Sequence, residues 1–374
     1  RRQRQMCIRD RMYEALVERG CGKLLFKGIV KRLVSVSVNL SLQCVKRLRP
    51  YVTMPRPMNN AQERSRGQEL AEDERDWKGY ERYRRDEVNL FLAKARSLVK
   101  SNLPPWMPKK RGRPPHPPKA MVILLLLKTW LGMDYRSISA YLRAFPEQRA
   151  KIGLDEAPSH TAIRNHMLRL PESYLRRLNA ELTSHTKKGL AADSTGYGIH
   201  RYETWLTVKG KQKRHAYLKL HLLIALANLA ILNQTITKGT RNDSPILSRL
   251  LKPIPKGTGD TCLDPAYLSR LNCNLIAKKD RSPIIKPKRN TIIRKRGSQA
   301  WRDMITLWLE DKTSFLERYH QRSKAESVYS ALKRCYGNHL ASHRRKAQRR
   351  ELHLKILSYN IGIANLTTIR EQNG

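Results

Sequence analysis

Gly189-Leu-Ala-Ala-Asp193-Ser-Thr-Gly196 is the stretch on which the fold of this chain depends. From about Asn59 to Lys187 the apolar residues recur at helical spacing or the chain is rich in proline. At Gly189 a short apolar run ends in an acid and turn-forming residues, which reads as a β-strand closed by a carboxylate. Tyr217 to Lys238 then supplies two strands separated near Asn228. Asp243 to Leu251 opens on an acidic N-cap and reads as a helix. Thr261-Cys-Leu-Asp264-Pro-Ala-Tyr267 is a second short strand ending in an acid. Leu275-Ile-Ala-Lys278 and Pro283-Ile-Ile-Lys286 read as one further strand and its exit. Trp301 to Tyr336 is long and helical with a break near Asp311. Arg344 to Leu366 is a last helix, basic at its start and apolar after Leu352. The order strand, hairpin, helix, strand, helix, strand, helix predicts a mixed α/β domain, a sheet flanked by helices, over 185–374.

The region before the sheet reads as all-α. Residues 119–131 are strongly apolar and predict a buried helix ended by Gly132. Tyr135 to Phe145 is a second helix. Pro158 to Arg169 is a third, with Ser159 as N-cap. Its polar face carries His160, Arg164, Asn165 and Arg169, so 119–182 suits a helix-turn-helix with Arg164 toward DNA, against a plain helical bundle. Residues 58–118 form a charged helical segment and a basic linker. In the segment, Trp77, Tyr80 and Tyr83 recur at helical spacing and read as core rather than as a base-stacking platform. In the linker, Arg111-Gly-Arg113-Pro114 matches the core of an AT-hook, two arginines around a glycine that fit a narrow minor groove. A Pro-rich hinge explains it equally well. Arg1 to Arg11 lacks periodicity and Leu33 to Leu42 alternates like a strand without an evident partner, so residues 1–57 read as a doubtful or disordered extension, with Met54 or Met58 as an alternative start.

Lys and Arg total 75 against 31 Asp and Glu, a net charge of +44. That excess repels itself, and a polyanion is the natural counterweight. No apolar run is long enough to span a bilayer. Six cysteines include no C-x-x-C pair and no zinc spacing, which suits reduced thiols in a cytoplasmic protein.

Three acids stand out. Asp193 and Asp264 close apolar strands, and strand-end carboxylates of an open α/β sheet face the ligand crevice. Glu326 lies in Tyr319-His-Gln-Arg322-Ser-Lys-Ala-Glu326-Ser-Val-Tyr-Ser-Ala-Leu-Lys333. Helical spacing puts Tyr319, Arg322, Glu326 and Lys333 on one face, beside an apolar stripe of Ala325, Val328, Tyr329 and Leu332. A surface ion pair between Arg322 and Glu326 is the plain alternative. Carboxylates without His or Cys suit Mg²⁺ or Mn²⁺, and two such ions about 4 Å apart serve phosphoryl transfer. His221 reads as a structural hydrogen-bonder, and Asp243 as a cap before it is an accessory acid. Arg344, Arg345, Lys346, Arg349 and Arg350 read as phosphate contacts in preference to a solvated face.

Over about 100–366 the chain resembles the DDE transposases of prokaryotic insertion sequences. Tyr319, Arg322, Glu326 and Lys333 match that family's Y-(2)-R-(3)-E-(6)-K signature. Asp193-Ser-Thr-Gly196, Leu218-Lys-Leu-His221 and Asp264-Pro-Ala-Tyr267 are similar to its strand motifs, and Arg111-Gly-Arg-Pro-Pro115 to a segment preceding its helical domain. Pro265 directly after Asp264 departs from the pattern and would tilt the exit of that strand. The resemblance implies a ribonuclease-H-like fold and two Mg²⁺ or Mn²⁺ ions on Asp193, Asp264 and Glu326. It implies cleavage at terminal inverted repeats, strand transfer into target DNA, and a homodimer in the synaptic complex. Tyr319, Arg322 and Lys333 would contact DNA, and the protein would be nucleoid-associated. A non-catalytic DNA-binding relic or a nucleoid-type basic protein would share the charge but not the chemistry.

Overall fold

The computed structural model describes residues 77–104, 106, 115–183, 188–199, 217–288 and 297–373. Arg111 and Arg113, the extension 1–57, and the start of the charged segment lie outside the described residues.

Helix α1, Trp77–Ser101, buries Tyr83, Phe91, Leu92, Ala95, Leu98 and Val99 on one face. Tyr83 is therefore core, as its spacing predicts; the side chains of Trp77 and Tyr80 lie outside the described residues. Helix α2, Pro118–Trp130, begins on Pro118, whose missing N–H costs nothing at a helix start. It is apolar on nearly every side, the mark of a helix with no solvent face. Gly132 ends it at φ 64°, with Gly132 N–H bonded to Thr129 O and Met133 N–H to Lys128 O. Helix α3, Tyr135–Ala144, is capped by Asp134, which accepts from Arg136 N and Ser137 N at 2.8 and 2.7 Å. A helix that the sequence does not announce, α4 at Pro146–Ile152, follows and ends on Gly153 at φ 85°. Helix α5, His160–Arg169, is capped by Ser159 as expected. The plain two-helix turn is thus interrupted by α4, although α3 and α5 pack together. Helix α6, Glu172–Leu182, leads to the sheet.

The sheet comprises β1 Leu190–Gly198, β2 Tyr217–Ala225, β3 Ile231–Lys238, β4 Asp260–Leu263 and β5 Ser282–Ile285. Its order is β3-β2-β1-β4-β5, with β2 antiparallel to β1 and β3, and β4 parallel to β1 and β5. This is the ribonuclease-H-like mixed sheet flanked by helices, preceded by an all-α region. Between β3 and β4 lie a 3₁₀ turn at Ser244–Ile246 and helix α7, Leu247–Leu251. Asp243 stands before them but makes no side-chain cap, contrary to the N-cap reading. Its carboxylate is taken by Lys219 at 2.7 Å and His221 at 3.2 Å.

Leu275 to Lys278 is not strand. Helix α8, Arg270–Ala277, occupies that stretch, nucleated by Ser269 accepting from Asn272 N at 3.1 Å. Helices α9 Gln299–Glu310, α10 Lys312–His320 and α11 Ser323–Tyr336 replace the single long helix. The break at Asp311 is the expected one, with Asp311 capping α10 through Ser314 N. A second break at Gln321–Arg322 is not, and it removes Tyr319 from the helix that carries Glu326. Helix α12, Arg345–Asn373, closes the fold.

One core joins α7, α8, α9 and α10 to the sheet face of Ala192 and Leu223. A second joins α11 and α12 to the opposite face of Ala191, Tyr197, Leu220 and Leu222. Helix α12 also packs against α1, α2 and α6. Every residue from Leu352 to Ile361 is buried. Gly362 lets the Trp130 ring lie against α12, since an added Cβ would come within 3.0 Å of it. Cys262, Cys273 and Cys335 are buried free thiols. Among the described residues no helix is long and apolar enough to cross a membrane.

Candidate active site

Alternation along β1 places Asp193 and Thr195 on the face of Ala191 and Tyr197, toward α11. Asp193 is not at the strand end: β1 runs on to Gly198. Its pairing with β4 stops at Ala192 opposite Leu263, so from Asp193 onward β1 keeps only β2. The sheet splits at that point, and Asp264 follows directly after the last paired residue of β4. Crevices of this kind hold ligands in open α/β sheets.

Pro265 has a local explanation. It occupies the first position of a 3₁₀ turn, Pro265–Tyr267, where proline's fixed φ and missing N–H fit. Asp264 caps that turn, accepting from Ala266 N at 3.1 Å through Oδ2.

Helix α11 supplies the third acid. Ala325, Val328, Ala331 and Leu332 are buried against the sheet, while the Glu326 side chain is 58 % exposed at the rim. Arg322 joins the acids: its guanidinium lies 2.9 Å from Glu326 Oε1 and 3.8 Å from Asp264 Oδ1. Burial pushes the Asp193 carboxyl up to about 6, the charges of Asp264 and Glu326 add to that, and Arg322 and the Ser194 amide oppose it. Asp193, Asp264, Glu326 and Arg322 thus form one electrostatic cluster.

Tyr329 fixes the backbone under Asp193. Its hydroxyl donates to Asp193 O and accepts from Leu222 N at 3.0 Å, tying α11 to β1 and β2. The apolar stripe marks Tyr329 as core only; no sequence signal shows its hydroxyl's task. Lys333, two turns beyond Glu326 on the same side of α11, donates to Thr195 Oγ1 at 2.7 Å and lies over the Tyr197 ring. Burial lowers its pKa. Tyr319 is 8 % exposed, stacked on Phe315 with Arg322 over its ring at 5.8 Å. Its ring supports Arg322 and has little surface left for a partner.

The other predicted positions separate. Arg164 is exposed on α5 with His160, Asn165 and Arg169. Arg344, Arg345 and Lys346 are exposed at the start of α12. Arg349 and Arg350 are structural, contrary to the phosphate reading: Arg349 pairs with Glu172 at 2.7 and 2.8 Å, and Arg350 donates to Leu170 O. His221 is fully buried and bonds Thr237 and Asp243, the structural role expected of it. With Asp243 it sits on the opposite sheet face from Asp193, because Ser194 is the residue paired with His221.

The donor set fits a hard divalent ion in kind, being all carboxylate oxygen. As the side chains lie, no three acidic, His or Cys side chains among the described residues form a metal-holding group. Arg322 draws Glu326 and Asp264 to itself instead.

Residues 184–361 match the family model described as "Transposase DDE domain", and residues 80–167 match "Transposase domain (DUF772)". The chain belongs to the DDE-type transposases. Among solved structures it is similar to a piggyBac transposase in a synaptic complex with hairpin DNA. The identity is 9 %, covering 75 % of this chain and 73 % of that one, with a TM-score of 0.41. A comparison with curated proteins gave no match. Within this transposase the DDE match takes in the whole described sheet and helices α7 to α11, with α12 as far as Ile361.

Proposed function

We propose that this transposase cuts at the ends of an insertion sequence and joins the freed ends to target DNA. The observation that carries the reading is the meeting of Asp193, Asp264 and Glu326 where β1 outruns β4. Asp193, Asp264 and Glu326 would hold two Mg²⁺ or Mn²⁺ ions. Such ions lower the pKa of an attacking hydroxyl and neutralise charge building on the phosphate.

The chemistry balances without a covalent protein–DNA bond. Water attacks a phosphodiester phosphorus, the P–O3′ bond breaks, and the O3′ leaving group takes up a proton. The freed 3′-hydroxyl then loses its proton, attacks a target phosphodiester, forms a new P–O3′ bond and displaces the target's 3′ oxygen. Tyr319 has no nucleophilic part in this scheme. It backs Arg322, which with Lys333 orients the phosphates beside the acids.

DNA contacts away from the cut belong to exposed cations. Arg344, Arg345 and Lys346 crowd the N-terminal end of α12, where the helix dipole already carries partial positive charge. That arrangement is locally unfavourable and is relieved by an external anion. Arg164 would face the terminal repeats from α5, Arg111 and Arg113 would add minor-groove contacts, and two copies would pair the ends as a homodimer.

The test is cleavage and strand transfer with Mg²⁺ on the DNA ends that flank the coding sequence, comparing wild type with Glu326→Gln. Wild-type activity that is lost by a factor of about 10³ or more in the variant, with DNA binding retained, supports the reading. Binding without cleavage by wild type under both Mg²⁺ and Mn²⁺ would make the protein a DNA-binding relic. Equal cleavage by both would remove Glu326 from the site.

A further inference from the structure

On the all-α side, away from the acids, α1, α2 and α4 enclose an open groove of about 540 Å³. Its floor is apolar, formed by Val99, Ala120, Ile123 and Ile152. Four cations line it: Arg96 and Lys100, one turn apart on α1, Lys119 on the first turn of α2, and Lys151 on α4. Among the described residues no acidic one lines it.

The plain account is a solvated helix face, and it covers part of the set. Lys151 has a partner, donating to Asn89 Oδ1 at 2.7 Å. Lys100 suits the last turn of α1, where the helix dipole is negative. Neither reason covers Arg96 and Lys119. Both are exposed, and neither has an ion pair among the described residues. Lys119 moreover stands at the positive end of α2, whose hydrogen-bond ladder starts only at Met121 N. Three helices thus converge their cations on one concavity, with no carboxylate among the described residues lining it. In a chain of net charge +44 the complementary partner is a polyanion with regularly spaced charges.

We propose that the α1–α2–α4 groove seats a stretch of DNA phosphate backbone, positioning the duplex without reading its sequence. The inference rests on the transposase reading for its choice of DNA. The lining fits that role: long cationic side chains reach phosphates, and among the described residues no amide or carboxylate side chain lines the groove to read base edges.

The test is fluorescence anisotropy with the full chain at a series of KCl concentrations. Two duplexes of equal length are used, one from the DNA flanking the coding sequence and one unrelated. The variant is Arg96→Gln/Lys100→Gln/Lys119→Gln, with its folding checked by circular dichroism. Affinity should fall by the same factor on both duplexes. The slope of log K against log salt should shrink by about 0.9 for each phosphate no longer neutralised, so by about two to three in all. In the wild-type protein, Lys119 should also be protected from acylation by an amine-reactive reagent when either duplex is bound. An unchanged slope with unprotected Lys119 would overturn the groove while leaving the transposase reading intact. Loss confined to the flanking duplex would overturn the claim that the groove ignores sequence. Failure of wild type to bind any duplex would overturn both.

Discussion

Arg322 answers two demands with one side chain. Asp193 and Asp264 are brought together by strand register, and Glu326 comes from a packed helix, so three carboxylates repel one another at the sheet split. Without a divalent ion, Arg322 is the cation that offsets this, at 2.9 Å from Glu326 and 3.8 Å from Asp264. The pair is partly exposed, so its net worth is about 1 kcal/mol or less. Replacing it with an uncharged side chain frees the acids for a metal at that same small cost. Arg322→Gln should therefore raise the affinity of the DNA-free protein for Mn²⁺ or Tb³⁺ by up to about fivefold, read by calorimetry or Tb³⁺ luminescence. Weaker metal binding in that variant would mean that Arg322 aligns the carboxylates and does not compete for them. Tyr329 makes a second prediction. Its hydroxyl joins Asp193 O to Leu222 N inside the core, and Tyr329→Phe leaves both backbone groups without it. The expected loss is about 1–3 kcal/mol in urea unfolding, with metal affinity lowered because Asp193 loses its footing. Unchanged stability would show that β1 and β2 re-pair directly.

Helix boundaries divide what the sequence makes legible from what it hides. Asp311, Ser159 and Gly132 are readable because each break has its own chemistry: a carboxylate or hydroxyl that caps, or a glycine that takes positive φ. The break at Gln321–Arg322 has none. Both residues keep helical angles, and the chain merely tightens to i→i−3 bonds from Gln321 N to Arg318 O and from Arg322 N to Tyr319 O. Nothing in Tyr-His-Gln-Arg-Ser asks for that. The positions of Asp264 and Glu326 follow from the end of β4 and the apolar stripe of α11 in spite of it, whereas Asp193, which reads as a strand end, lies inside β1 because Ser194 to Gly198 still pair with β2. Leu275-Ile-Ala misleads because a short apolar run does not distinguish strand from buried helix, and Ser269, its cap, lies well upstream. Arg349 misleads because a basic cluster does not say which of its members meets Glu172. Helix α1 holds a group that composition cannot mark. Burial pushes the Glu87 carboxyl up to about 7, with Arg84 at 2.6 Å only partly opposing it. The folded state then binds more protons than the unfolded state between about pH 4.5 and 7, so stability falls as pH rises through that window. Glu87→Gln should remove that slope and gain about 1–3 kcal/mol at pH 8 while changing little at pH 4. Denaturant titrations at the two pH values check it, and a loss at pH 8 would show that the pair with Arg84 dominates.

At the scale of the molecule, α12 decides how the parts behave. A helix buried on all sides from Leu352 to Ile361 has no surface of its own. One flank completes the core beneath α11 and the sheet, and the other completes the packing of α1, α2 and α6. Polar side chains lock the register of the three layers. Asn360 exchanges hydrogen bonds with Ile231 on β3 and donates to Asn179 on α6 at 2.7 Å. His353 meets Gln234 at 2.8 Å. Glu172 holds Arg349 with two bonds; burial alone would raise its carboxyl, but His353 and Arg349 hold it well below the usual carboxylate range. Such a helix cannot remain folded when either neighbour melts, since each would expose an apolar flank. Calorimetry of the described body should therefore show the all-α region and the sheet unfolding in one transition. Glu172→Ala, which deprives a half-buried Arg349 and a fully buried His353 of their shared carboxylate, should lower that single transition by about 1–3 kcal/mol without dividing it. A variant that splits into two transitions would show that α12 belongs to one layer alone, and that the all-α region can move independently of the carboxylates.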